Sequence, residues 1–478
     1  MTAGCLPVPG AGQGHAPRPR TTAALGAALV VAALAVGPWT APAAAEGRAG
    51  HDAARHARRP AATGGARRPA TTAKQAWPPA WKRAHAARAV QAVPVLPGYV
   101  QRQLRGSRPL ESRWVPAGFL AAALLAALLW RWRGRRHPAA TRRRRVWRAT
   151  AATGSTAALL VLAVLAGVNS DVGYVPTLGA LFGRRVTGGG AAPARRPQAL
   201  GDPTRNAGSE PLVPGGSRVD RDMVAAPAYG VPPRPVYVYL PPGYELPREA
   251  RLRYPVVYLI HGYPGSALDW FRSGAVRETM DTLIADRLVH PMIVVAPNAA
   301  ASWASDSECL DAVGRGRKLE SYLTRTVVDF VDHRYRTIRS RWARAIGGMS
   351  SGAYCGLNLG LRHQDEFSVI LAHEPYGTPG DVARRRLLGG SWARYRANSP
   401  SIYLRTLTFR YPMAVFLDAG SSDRGVIRTA RSLALELAGR GQLVAFRLAR
   451  GVGHNWREAR LELPYSLVFA VRYLLPPR

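Results

Sequence analysis

Hydrophobic positions fall into two regimes along the chain. Before about residue 218 they come as long uncharged runs, "TTAALGAALVVAALAVGPWTAPAAA" at 21–45, "WVPAGFLAAALLAALLW" at 114–130 and "ATAATGSTAALLVLAVLAGVNS" at 149–170. After it they come as short runs of four to six residues, separated by amphipathic stretches. The short runs predict strands at Val236–Leu240, Pro255–Ile260, Met292–Ala296, Ala343–Ile346, Ser368–Leu371, Met413–Leu417 and Leu443–Leu448. Between several of them, "VRETMDTLIADRLV", "KLESYLTRTVVDFVDHRYR" and "VIRTARSLALELAGR" repeat apolar residues at helical spacing. Strands alternating with helices predict an α/β domain over 219–478, with a mostly parallel sheet covered on both faces.

The long runs predict a different environment. A basic start, an apolar stretch and a small-residue ending at Ala45 make residues 1–45 either a secretory signal peptide or an uncleaved N-terminal membrane anchor. Residues 46–113 are rich in Ala, Arg and Pro, too poor in large apolar residues to offset chain entropy, and are expected to be disordered. The runs at 114–130 and 149–170 are close to bilayer length, and Trp130, Trp132 and flanking arginines suit a headgroup interface. They predict a transmembrane helical hairpin over 114–170. Nine arginines and no acid occupy 131–148, and short basic loops stay cytoplasmic, so both flanks of the hairpin are expected outside the cytoplasm. Residues 171–218, rich in Gly and Pro toward their end, read as a linker.

Charge changes this picture little. The formal net charge is +37, and residues 1–200 hold 29 of the 66 Lys and Arg against 4 of the 29 acids. No base-reading motif accompanies these arginines, and lysine stands only at 74, 82 and 318, so the excess reads as a compositional preference for Arg and no nucleic-acid partner is expected. No Cys/His spacing predicts a metal site, and no cofactor is expected.

Candidate chemistry lies in "AIGGMSSGAYCG", where G-x-S-x-G fits once, with Gly348 and Gly352 around Ser350. A serine held on a sharp strand-to-helix turn needs glycines two positions either side, because side chains there collide. "RWARAI" before it reads as a strand and "SGAYCGLNLGLRH" after it as a helix. A serine nucleophile needs a base oriented by a carboxylate. "FLDAGSSDRG" offers Asp423, preferred to Asp418 at the strand end, and "ARGVGHNW" offers His454. The order Ser350, Asp423, His454 is that of an α/β-hydrolase. An oxyanion hole would use the backbone amides of Ser351 and of Tyr263 in "VVYLIHGYPGSALDW". Cys309 and Cys355 form an even pair in a domain expected outside the cytoplasm, and either a disulfide at the active-site rim or two buried thiols fits them.

Six segments in order, "VYVYLPPGYE", "YPVVYLIHGYPGSALDW", "VVAPNA", "VVDFVDHRYRT", "RAIGGMSSGAYCGLNLGLRHQDEFSVI" and "GVGHNWREAR", resemble the α/β-hydrolase family that contains esterase D, feruloyl and enterochelin esterases and the antigen 85 mycolyltransferases. The resemblance covers roughly 215–475 and implies a Ser-His-acid enzyme acting on esters through an acyl-enzyme. It agrees with Ser350, Asp423 and His454, and with the Tyr263 and Ser351 amides. Two departures stand out, Ala353 where many members carry glycine and Ser351 where they carry a hydrophobic residue.

These readings converge on a membrane-tethered, extracytoplasmic serine esterase. An acyltransferase with a sugar or glycerol acceptor shares the same triad, and a non-catalytic envelope module is a third reading. Location alone points to an envelope lipid or glycolipid ester. Tyr263, Trp270, Trp303 and Tyr376 are candidates either for an acyl or aryl pocket or for packing.

Overall fold

The computed structural model describes residues 77–79, 81–82, 91–106, 108–137, 141–177, 215–300 and 306–478. The run at 21–45, most of 46–90, much of the 171–218 linker and Trp303 lie outside the described residues.

Part of the segment expected to be disordered is ordered. Helix α1 (Gly98–Arg105) packs on the catalytic domain, with Trp81, Leu96 and Val100 in its core. The Trp81 indole donates to Tyr473 O at 2.9 Å, and the Gln91 amide donates to Val444 O at 2.8 Å. A few large apolar side chains suffice to dock a segment whose average composition is poor in them.

Helices α2 (Trp114–Arg136) and α3 (Arg142–Val172) form an antiparallel pair. Among the described residues these are the two helices long and apolar enough to cross a membrane, by length and composition. Thr141 caps α3 by accepting from the Arg144 amide, and Trp130 Nε1 donates to Ser155 Oγ between the helices at 3.1 Å. Leu124, Leu128, Val161 and Val164 are more than half exposed, an arrangement costly in water and natural in lipid.

From residue 218 the chain builds one eight-stranded sheet. In chain order its elements are β1 (Arg218–Ala226), β2 (Val231–Leu240), β3 (Val256–Ile260), α4 (Val276–Ala285), β4 (Ile293–Pro297), α5 (Val328–Arg334), β5 (Arg344–Met349), α6 (Ser351–Arg362), β6 (Val369–His373), β7 (Ala414–Gly420), α7 (Arg424–Gly439), β8 (Leu443–Ala449) and α8 (Trp456–Val471). The strand order is β1-β2-β4-β3-β5-β6-β7-β8; β1 and β2 run antiparallel to their neighbours, and β4 through β8 pair in parallel.

Alternate side chains of each strand enter opposite cores. Val256, Tyr258 and Ile260 join Val331, Leu357 and Leu437 on one face. Val257 and Leu259 join Met280, Leu283, Leu463 and Phe469 on the other. The expected α/β architecture with helices on both faces is therefore present. Strand β1 was not among the expected strands, because two of its inward positions are Asp220 and Asp222. Arg218 pairs with Asp220, and the Tyr335 hydroxyl donates to Asp222, so each buried acid has a polar partner.

Candidate active site

Parallel strands bring their carboxyl ends to one edge, the usual place for a site in such a sheet. There β5 ends at Met349 and α6 begins at Ser351, leaving Ser350 as the single residue of the turn. Its φ of 57° and ψ of −117° are strained for a residue with a side chain. A Cβ on Gly348 would stand 2.3 Å from Ile260 O, and one on Gly352 2.0 Å from the same atom. The two glycines thus let the turn press against the end of β3.

Ser350 Oγ lies 2.7 Å from His454 Nε2, so the predicted nucleophile and base are hydrogen-bonded. His454 sits in the loop between β8 and α8, its side chain 31% exposed. Burial, opposed by the charge of Asp423, holds its pKa below the ordinary histidine value. That keeps the ring neutral and able to accept a proton near pH 7.

Two carboxyls approach the other ring nitrogen. Asp423 Oδ2 stands 4.0 Å from Nδ1 and Glu374 Oε2 stands 3.7 Å from it. Asp423 also caps α7, with Oδ1 accepting from the Val426 amide at 2.9 Å. Glu374 follows β6 with a φ of 57° and is fully buried. Burial pushes its carboxyl well above the usual range, and Asp418 and Asp423 add to the rise. Asp423 is 34% exposed, so it keeps contact with solvent where Glu374 has none. Asp418, the rival acid, is turned elsewhere: Oδ2 meets His373 Nδ1 at 2.6 Å and Oδ1 accepts from the Glu374 amide at 3.0 Å.

The loop after β3 closes the other side. A Cβ on Gly262 would come 3.5 Å from Ser350 Cβ, which places the Tyr263 segment against the elbow. His261 fixes this loop from within: Nδ1 meets Gly262 O at 2.8 Å and Nε2 accepts from the Ala299 amide at 3.1 Å. Tyr263, Ser351, Asp306, Cys309 and Cys355 border one small cleft beside the nucleophile.

The Ser351 hydroxyl donates to Asp306 Oδ1 at 3.2 Å. Cys309 and Cys355 are joined, with Sγ atoms 2.06 Å apart, which ties the first turns of α6 to the loop after β4. Trp270 is a packing residue: it is fully buried, its indole donates to Ile260 O at 2.9 Å, and it meets Trp456 edge-on. Tyr376 stacks on Tyr354 and donates to Glu308 Oε2 at 2.6 Å, so it too is held by its neighbours. Sequence reasoning missed Glu374 beside the histidine. Its one signal was the polar pair His373-Glu374 closing the otherwise apolar run "SVILAHEP". Among the described residues no group of His, Cys, Asp and Glu is arranged to hold a metal ion.

Residues 232–459 match the family model described as putative esterase. An uncharacterized protein of Corynebacterium glutamicum is 26% identical over 244 residues, 49% of this chain and 56% of that protein. An endo-1,4-beta-xylanase/feruloyl esterase of Xylanibacter ruminicola is 32% identical over 133 residues, 27% of this chain and 18% of that protein. The chain therefore spans little more than half of the first relative and under a fifth of the second. Among solved structures, a ferulic acid esterase is similar at 25% identity with a TM-score of 0.46, covering 54% of this chain and 99% of its own. The match covers a little under half of the chain; over that span, which gathers a serine, a histidine and a carboxylate at one sheet edge, the chain is similar to esterases and has the α/β-hydrolase fold.

Proposed function

We propose that this chain is a membrane-tethered serine esterase, working outside the cytoplasm and cleaving carboxylic esters through an acyl-enzyme on Ser350. The 2.7 Å contact between Ser350 Oγ and His454 Nε2, on an elbow pinned by Gly348 and Gly352, carries this reading. His454 takes the Ser350 proton as Oγ attacks the ester carbonyl. The new oxyanion is received by the Tyr263 and Ser351 amides, and the leaving alcohol takes the proton back from His454. Water then repeats the cycle on the acyl-enzyme and restores Ser350. Asp423 holds Nδ1–H and balances the imidazolium; closing its 4.0 Å gap to hydrogen-bond distance accompanies substrate binding.

Placement outside the cytoplasm is supported by two findings. The ends of α2 and α3 that flank their connection carry the arginines, while the catalytic domain follows the opposite end of the hairpin. A disulfide at the rim suits an oxidising compartment. Fluorophosphonate labelling of intact cells, followed by external protease, tests both parts. Wild type and Ser351→Ala are expected to label and to lose the labelled domain to protease. Labelling that survives in Ser350→Ala would refute the nucleophile, and protection from protease would refute the topology.

A further inference from the structure

The hairpin is docked on the catalytic domain through both of its domain-side ends. α3 ends at Val172, and Gly173 follows with φ 64°, so close to α8 that a Cβ would stand 2.9 Å from Arg457 Cβ. Asn455, the residue after His454, caps α8 through Oδ1 and with Nδ2 donates to Asp171 O at 2.9 Å. Arg460 donates to Ser273 O at 2.6 Å and to Gly173 O at 3.2 Å. Its guanidinium also grips both oxygens of Glu111, just ahead of α2, at 2.6 and 2.7 Å. Tyr174 donates to Asp269 Oδ1 at 2.9 Å, and its carbonyl accepts from Ser273 Oγ at 2.8 Å. Both membrane-side ends of the hairpin, before α2 and after α3, are thus fixed to the domain.

A flexible linker would anchor an enzyme without any of this. The Glu111–Arg460 pair is 8% and 4% exposed, and two desolvated charges hold only in one geometry. Such a dock fixes orientation. Val168, the last exposed apolar residue of the 149–170 run, precedes Asp171 by three residues, about 4.5 Å along a helix. Asp171 in turn touches the neighbour of the catalytic base.

We infer that the docked end of the hairpin holds the mouth of the site at the bilayer surface, and that the substrate is an acyl ester of a membrane-resident amphiphile. This rests on the esterase and membrane readings above. An ester anchored by its acyl chain presents its carbonyl at headgroup depth, the level at which the dock holds His454. A water-soluble ester reaches Ser350 whatever the orientation of the domain.

The full chain in phosphatidylcholine and phosphatidylglycerol liposomes provides the test, with 4-nitrophenyl acetate in water and 4-nitrophenyl palmitate in the bilayer as paired substrates. Glu111→Ala and Tyr174→Phe, singly and together, loosen the dock without touching the triad. The double variant is expected to lose at least tenfold in turnover of the palmitate ester and to keep acetate turnover within twofold, which also reports that the domain is folded. Tyr174→Phe removes one hydroxyl and stands in should Glu111→Ala fold poorly. Equal turnover of both esters by wild type and variants, or a parallel fall of both, would overturn the inference. If wild type cleaves the acetate and leaves the palmitate untouched, the esterase reading stands and this one falls. If it cleaves neither and Ser350 does not label, both fall.

Discussion

Glu374 Oε2 lies 3.7 Å from His454 Nδ1, nearer than the 4.0 Å of Asp423 Oδ2. Proximity does not make it the working carboxylate, since burial pushes Glu374 well above the usual range and favours its neutral form. A neutral carboxyl cannot balance an imidazolium. Asp423→Asn is therefore expected to lower kcat/KM on the order of 1,000-fold. Glu374→Gln, which keeps shape and neutrality, is expected to cost less than about tenfold at pH 7. Steady-state kinetics on a soluble ester separates the two. The opposite ranking would transfer the acid role to Glu374.

The pH profile follows from the base. His454 acts only when neutral, so kcat/KM rises with pH through its pKa and levels off above it. Because burial lowers that pKa, the midpoint of the rise is expected below 6.5, the ordinary histidine value. Asp423 is the charge that opposes the shift, so Asp423→Asn is expected to move the midpoint lower still. Whatever activity remains in that variant would thus persist to more acid pH. A midpoint that moves upward in Asp423→Asn would contradict the ion pair.

The readable and unreadable parts of the fold differ in where their polarity lies. Strands β3 through β8 announce themselves as apolar runs because both their faces are covered. β1 hides because Asp220 and Asp222 occupy inward positions, where a pattern reader expects aliphatic residues. At the site, the gathering of Ser350, Asp423 and His454 at one sheet edge was legible because their turns carry glycines and each follows a strand. Glu374 was not, since its relation to His454 depends on a positive φ after β6 that no local spacing encodes. The ordered 91–106 segment was missed for a related reason: composition averages conceal Leu96 and Val100, buried against the domain.

The Cys309–Cys355 link closes a separation of 46 residues and ties α6 to the loop bearing Asp306. Loop-closure entropy of that size corresponds to about 2–4 kcal/mol. A Cys309→Ala, Cys355→Ala double variant is expected to melt about 5–15 °C lower than wild type under oxidising conditions. Wild type treated with reductant should follow it downward. Calorimetry of the two proteins with and without reductant checks both statements. A melting temperature unchanged by the double substitution would mean that the link contributes nothing to stability.

The elbow supplies a sharper test, because two adjacent positions on α6 respond oppositely to the same methyl group. At Gly352 a Cβ would stand 2.0 Å from Ile260 O, against about 3.3 Å for a close carbon–oxygen contact. β3 or the first turn of α6 must move by about that difference, which carries Ser350 away from His454. Gly352→Ala is expected to cost about 3 kcal/mol and to slow fluorophosphonate labelling at least 100-fold. The next position already holds Ala353, fully buried and accommodated. Ala353→Gly removes a methyl from the helix at a cost of about 1 kcal/mol and leaves the turn in place, so labelling should stay within a few-fold of wild type. Urea midpoints and labelling rates measured side by side distinguish a displaced nucleophile from a merely weakened helix. Labelling of Gly352→Ala at the wild-type rate would show that the turn does not depend on the missing side chain.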